Sequence, residues 1–140
     1  MHEVNLWFCL QEAGDDWEFA EVREKALRIE QLITGFDAHT IKADFRILNG
    51  KYYVTLTCFA NRPRAHELGI IDSLVSEVVH LLPGSYGLIY ERDDERTDFP
   101  GHDAFKVTVL ARGKLSVRVD PFLSPVSLVV DDEEGMSDGG

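Results

Sequence analysis

Residues 41–59, IKADFRILNGKYYVTLTCF, contain the pattern that decides the fold. Apolar side chains recur at every second position on both sides of Asn49–Gly50; they are Ile41, Ala43, Phe45, Ile47, Tyr52, Val54, Leu56 and Cys58. A period of two indicates strands with one buried face. Asn-Gly is the strongest short signal for a two-residue hairpin turn. The stretch therefore predicts an antiparallel β-hairpin.

Helical periodicity appears on both sides of this hairpin. Before it, apolar residues at helical spacing run from Phe19 to Ile33, and Gly35 is typical of the residue after a helix C-terminus. After it, a second apolar stripe runs from Leu68 to Leu82. A strand with alternating side chains from Val4 to Leu10 precedes the first helix, and a short strand over residues 85–92 follows the second.

The predicted order is therefore strand, helix, strand, strand, helix, strand. This is the split βαβ arrangement of the ferredoxin-like fold. We predict an α+β domain, namely a ferredoxin-like βαββαβ antiparallel sheet with two helices on one face. Residues 104–115, AFKVTVLARGKL, predict an extra C-terminal strand that pairs with the strand before it. The domain is expected to cover residues 1–130, and residues 131–140 to form an acidic, disordered tail.

Composition narrows the class of protein. The chain has 140 residues, of which 44% are hydrophobic, and this is enough for one domain with a core. It contains no apolar run of about 18 residues that would predict a membrane span. The N-terminus lacks the pattern of a signal peptide, so we expect a cytoplasmic protein. Cys9 and Cys58 lie in apolar strands and are expected to be reduced and buried.

Charge is the second compositional signal. The formal net charge is −11, and residues 131–140 contribute five acids and no base. An acidic chain repels phosphate backbones, which argues against a nucleic-acid partner. It attracts a basic protein.

No pattern typical of an enzyme is present. HELGI at residues 66–70 lacks the second histidine of a zinc-protease helix. The five histidines are scattered, and the acidic stretch lacks the spacing of a calcium loop. The nucleophile-elbow, P-loop and dinucleotide-binding patterns are also missing. We therefore predict a non-enzymatic protein without a metal or cofactor.

An acid-rich stretch, YERDDERTDFPGHD at residues 90–103, separates the last two predicted strands. The candidate contact residues in it are Glu91, Asp93, Asp94, Glu95 and Asp98. One interpretation is a surface that meets a basic partner. The other is a solvated loop whose acids pair with Arg92 and Arg96, since charge runs are commonly solvated faces. Arg112 is expected to pair with Asp120 or with Asp93–Asp94.

Two further surfaces are candidates. A second acidic cluster surrounds the start of the first helix and consists of Glu12, Asp15, Asp16, Glu18 and Glu21. These acids are either a contact surface or a complement to the helix N-terminus, and they are predicted to lie at the opposite end of the sheet from the acid-rich stretch. Trp7, Tyr53 and Phe59 are predicted to face away from the helices. There they either contact a partner or are covered by residues 120–130.

The last third of the chain carries a more specific signal. YGLIYERDDE at residues 86–95 and FKVTVLARGKLSVRVDPFLSP at residues 105–125 resemble the signature half of the immunity protein 7 family. The opening LWF, residues 6–8, is also similar to the start of that family. The resemblance extends to about residue 131. It implies an α+β antitoxin of a bacterial polymorphic toxin system, which binds and neutralises a cognate toxin domain.

This resemblance identifies neither the toxin nor the contact residues. Since many intercellular toxins act on nucleic acids or nucleotides, a basic active site is a natural target for carboxylates that imitate phosphates. The leading hypothesis is therefore an immunity protein that occludes such a site. The alternative is a ferredoxin-like module that binds a small ligand or associates with itself through Trp7, Tyr53 and Phe59. Formation of a homodimer is left open.

Overall fold

The computed structural model describes residues 2–12, 19–36, 39–61, 65–93 and 105–120. Its elements, in chain order, are β1 His2–Leu10, α1 Phe19–Thr34, β2 Ile41–Leu48, β3 Lys51–Ala60, α2 Ala65–Leu81, β4 Tyr86–Asp93, β5 Phe105–Ala111 and β6 Lys114–Asp120. The hairpin, both helices and the strands that flank them are confirmed. Among the described residues, no helix is long and apolar enough to cross a membrane.

The strands form one sheet in the order β2-β3-β1-β4-β5-β6, and every neighbouring pair is antiparallel. The predicted α+β class, with two helices and an antiparallel sheet, is therefore confirmed. β1 lies inside the sheet, paired with β3 on one side and β4 on the other. The hairpin turn at Asn49–Gly50 has φ angles of 51° and 78°, which are the left-handed values that an Asn-Gly turn adopts readily.

The prediction of one extra strand at the C-terminus is wrong, because the segment forms two. β5 and β6 are joined at Arg112–Gly113, with φ angles of 53° and 74°. Two consecutive left-handed residues form the same class of turn as Asn-Gly. Arginine seldom adopts a positive φ, so the sequence around Arg112 looked like one continuous strand.

The core lies on one side of the sheet, which we call the helix face. The strand residues of the core include Val4, Leu6, Phe8, Leu10, Val54, Leu56, Cys58 and Leu110, and the helix residues include Val22, Ala26, Ile29, Ile33, Ile71, Leu74, Val78 and Leu82. Every strand residue in this cluster points to the same side, so both helices cover the helix face. We call the other side, which bears Trp7 and Cys9, the open face.

The register also defines two ends of the sheet. At the His2 end, His2 pairs with Ala60 and with Asp93. At the Leu10 end, Cys9 pairs with Tyr53 and with Tyr86. Because neighbouring strands are antiparallel, β3, β4 and β6 all finish at the His2 end. The last described residues before the acidic residues 94–104 and before the C-terminal residues 121–140 therefore both lie at the His2 end.

Candidate functional site

The base of the acid-rich stretch is anchored on the helix face by Glu91. Its Oε2 atom lies 2.6 Å from Nε2 of His2, whose side chain is 1% exposed. Its Oε1 atom lies 3.7 Å from Nζ of Lys106 on β5. Glu91 thus links the first residue of β1 to β5 across the end of β4, and its carboxylate is largely shielded from water.

The neighbouring residue anchors the same stretch on the open face. Nε of Arg92 lies 3.4 Å from Oε1 of Glu3 on β1, and both side chains are largely buried. Because successive residues of a strand point to opposite faces, Glu91 and Arg92 fasten the end of β4 on both sides. A charge pair that is shielded from water is much stronger than one on the surface.

This arrangement separates the five predicted contact residues of the stretch. Glu91 is engaged with His2 and Lys106. Asp93 is the last residue of β4, and Asp94, Glu95 and Asp98 lie outside the described residues. In the chain, Asp94, Glu95 and Asp98 therefore follow a strand end that is held on both faces.

The predicted pairing of Arg112 with Asp120 or with Asp93 is wrong, and Asp94, the other predicted partner, lies outside the described residues. Arg112 lies in the turn between β5 and β6, at the Leu10 end of the sheet. Asp120 pairs with Phe105 at the opposite end of β6, and Asp93 ends β4 at the His2 end. The length of a seven-residue strand, about 23 Å, therefore separates Arg112 from both acids.

The three predicted open-face aromatic residues do lie on that face, but they do not form one patch. Trp7 is 37% exposed and Phe59 is 47% exposed, whereas Tyr53 is half-buried. Between Trp7 and Phe59 lies a polar pair, in which Oγ1 of Thr57 donates a hydrogen bond of 3.1 Å to Oδ1 of Asn5. Trp7 and Tyr53 are close neighbours in the register, and Phe59 stands apart near the His2 end.

Tyr86 completes the aromatic group around Trp7. The rings of Trp7 and Tyr86 meet edge to face, with centroids 6.0 Å apart. The buried Cys9 lies between Tyr53 and Tyr86 in the register. The Cys9 thiol, chiefly by hydrogen bonding, raises the pKa of Tyr86 to about 12, and its charge raises the pKa of Tyr53. Both pKa shifts favour the protonated form of the two hydroxyls beside Cys9.

The second acidic cluster is only partly within the described residues. Glu12 forms an ion pair with Lys25 of α1, and Glu21 is exposed in the first turn of that helix. Asp15, Asp16 and Glu18 lie outside the described residues. Glu12 follows β1 at the Leu10 end, whereas β4 finishes at the His2 end. Glu12 and Glu91 therefore lie towards opposite ends of the sheet, and the placement of the two whole clusters stays a prediction.

The distribution of charge is more uneven than the total suggests. The described residues hold 12 acids and 11 bases, giving a net charge of −1. The remaining −10 of the total of −11 belongs to the connections and the tail outside them. The framework of strands and helices is thus nearly neutral, and the excess of acids lies in the segments attached to it.

Two features of the framework bear on metal binding and on cysteine chemistry. Among the residues that the structure describes, no group of three or more His, Cys, Asp or Glu side chains could hold a metal ion. Cys58 is fully buried on the helix face. Burial, and secondarily the nearby Glu67 carboxylate, raises the pKa of its thiol to about 11. A nucleophilic cysteine requires the opposite shift.

Cys58 gives a testable pH dependence. The unfolded thiol ionises near pH 8.5, whereas the folded thiol keeps its proton until about pH 11. Its contribution to the free energy of unfolding is therefore complete below about pH 8.5 and falls as the pH rises through that window. The free energy of unfolding, measured in urea, should fall less steeply between pH 7 and pH 10.5 for Cys58→Ala than for the native chain. Equal declines in the two proteins would contradict the raised pKa.

Comparison of the sequence with known protein families finds a match over most of the chain. The model of the family Immunity protein 7 matches residues 1–132, which is nearly the whole chain. No curated protein and no solved structure matches the sequence. The match includes β1 through β6 and the acid-rich stretch between β4 and β5. The chain belongs to the immunity protein 7 family.

Proposed function

We propose that this protein binds a cognate toxin domain and blocks its activity, and that it catalyses no reaction of its own. The observation that carries this proposal is the family match over residues 1–132, because an immunity protein of this kind acts against a toxin. The nearly neutral framework and the protonated, buried Cys58 are in keeping with a binding role.

The proposed mechanism is occlusion of a basic active site by the acidic loop. Residues 94–104 contain four acids and one arginine. They follow the strand end that Glu91 and Arg92 fasten to both faces of the sheet. A loop held at its base loses less conformational freedom when it binds, and this raises affinity. Complementary charge speeds association with a basic partner and rejects acidic ones.

The fold supports this arrangement. We infer that β1–β4, α1 and α2 form a ferredoxin-like unit, since their neighbour order is β2-β3-β1-β4 with each helix connecting strands on the helix face. β5 and β6 extend that unit as a hairpin. The connection between the unit and this hairpin is the acidic loop.

The open face is a second candidate for the contact with the toxin, or for self-association or ligand binding. The observation in its favour is the exposure of Trp7 and Phe59, because aromatic side chains dominate the energetics of protein interfaces. Trp7 is held by its edge-to-face contact with Tyr86, and this limits the entropy that it loses on binding.

Charge reversal distinguishes these surfaces. Changing Asp94, Glu95 and Asp98 to lysine in the full chain should weaken binding to the cognate toxin domain by about 100-fold. That factor corresponds to about 2.8 kcal/mol. Binding by the native chain should also weaken as salt is added, because rim charges are screened. Titration calorimetry measures both effects, and thermal melting shows whether the variant remains folded.

Two matched variants test the rival surfaces. Asp15, Asp16 and Glu18 changed to lysine carry the same charge change at the opposite end of the sheet, and Trp7→Ala removes the exposed indole. Both should keep near-native affinity. The acidic loop is not the contact surface if the lysine variant of Asp94, Glu95 and Asp98 binds normally while one of the other two variants, Trp7→Ala or the lysine variant of Asp15, Asp16 and Glu18, abolishes binding.

A further inference from the structure

An apolar groove lies on the helix face, beyond the part of the sheet that the helices cover. It has a volume of about 230 Å³. Leu68, Ile71 and Val75 of α2 form one wall, and Thr108, Leu115 and Val117 of the β5–β6 hairpin form the floor. The charged residues Asp72, Glu91 and Lys106 also line the groove, and in the register Glu91 and Lys106 lie towards its His2 end.

The floor of this groove is exposed to solvent, although it lies on the same side of the sheet as the core. Leu115 is 50% exposed and Val117 is 55% exposed, although both point to the helix face. The side chains of β6 that point to the open face include Lys114, Ser116 and Arg118, and all three are polar. Alternation of this kind marks the apolar side as the side that is covered.

We propose that the chain's own residues 121–130, PFLSPVSLVV, occupy this helix-face groove. The segment has six large apolar side chains and no charge. It begins directly after β6, which finishes at the His2 end, so it starts at the mouth of the groove. Because it is tethered there, its effective concentration at the groove is in the millimolar range.

The length of residues 121–130 matches the length of the groove floor. From Asp120 back to Lys114, the floor strand spans seven residues, or about 23 Å. A reversal of two or three residues at Pro121 leaves seven or eight of the ten residues. In extended form these reach about 23–26 Å. The segment therefore runs the whole length of β6 and ends near the turn at Arg112.

The charges at the Leu10 end of the groove also favour this path of the segment. Arg112 and Lys114 are exposed at the β5–β6 turn. Four consecutive acids, Asp131 to Glu134, follow the apolar segment in the sequence. A segment that fills the groove brings these acids next to the two bases, where opposite charges attract. This path differs from the expectation that residues 120–130 cover Trp7 on the open face.

A double-mutant cycle in the full-length chain tests the contact. Val117→Glu places a charge at a site that the proposal buries, so it should lower the Tm by several degrees. In a chain with Phe122, Leu123, Val126 and Leu128 all changed to serine, the same substitution should have almost no effect. The difference between the two Tm shifts measures the coupling between groove and segment. Ser116→Glu, on the open face of the same strand, should be nearly neutral in both backgrounds.

A spin label identifies the occupant. With Cys9 and Cys58 buried, a label on Ser127→Cys should broaden the amide signals of β6 and α2 and leave those around Trp7 sharp. Broadening around Trp7 instead, or equal Val117→Glu shifts in the two backgrounds, overturns the proposal. Labelled chains mixed with isotope-enriched unlabelled chains should show no broadening. Broadening in that mixture assigns the groove to a second copy and overturns the proposal too.

Discussion

Changing Gly87 to alanine is expected to destabilise the protein by more than about 3 kcal/mol, which is a large part of the 5–15 kcal/mol that holds a typical domain together. Gly87 lies in β4, opposite Phe8 of β1. A Cβ atom at this position would lie 2.0 Å from the backbone oxygen of Trp7 and 2.9 Å from Cα of Phe8. Backbone atoms of an interior strand cannot move aside cheaply, so the β1–β4 pairing must open.

Gly69 supplies the matched control. It lies in α2, and a Cβ atom there would meet nothing within 4 Å. Gly69→Ala should therefore stabilise the helix by up to about 1 kcal/mol. Urea unfolding of the two variants and the native chain gives the comparison. A Gly87→Ala protein as stable as the native chain would mean that β1 and β4 are not packed as described.

Changing Glu91 to alanine is the second substitution with a large expected effect, a loss of about 3 kcal/mol in the free energy of unfolding. It removes the carboxylate that His2 and Lys106 share. The side chain of His2 is almost completely buried, and burial makes the loss of a hydrogen-bond partner expensive. The end of β4, and with it the base of the acidic loop, should loosen.

The control for Glu91 is a surface pair. Glu24 and Arg28 lie one turn apart on α1 with their charged atoms 3.9 Å apart, and the Glu24 side chain is 73% exposed. Glu24→Ala should change stability by less than about 0.5 kcal/mol. Denaturant unfolding of Glu91→Ala and Glu24→Ala measures the two losses in the free energy of unfolding. If Glu91→Ala melts like the native chain but no longer binds toxin, Glu91 is a contact residue and its anchoring role is refuted.

Much of the fold could be predicted because local rules and tertiary packing agree. The alternation around Asn49–Gly50 predicted the turn, and it also predicted that Phe59 and Tyr53 lie opposite the helices. The turn at Arg112 was missed for a physical reason. Its left-handed backbone is imposed by the pairing of β5 with β6, and an arginine gives no local signal for that conformation.

The candidate site was less predictable, because charged residues do not show by composition whether they face solvent. Glu91 was grouped with Asp94 and Glu95 as one acid run. Strand parity alone places it on the same side as Ile89, and His2 on the same side as Val4. The alternation rule could therefore have placed His2 and Glu91 on the same face, but their contact also requires the register of β1 with β4. Lys106 could not have been assigned to it without the register of β4 with β5.

Whether this chain neutralises a toxin is tested by co-expressing it with its cognate toxin domain, scored by cell survival and by co-purification. We expect survival, together with a stable complex of the two proteins that dissociates when Asp94, Glu95 and Asp98 are changed to lysine. Cell death in the presence of well-expressed, folded protein, with no complex recovered, would contradict it.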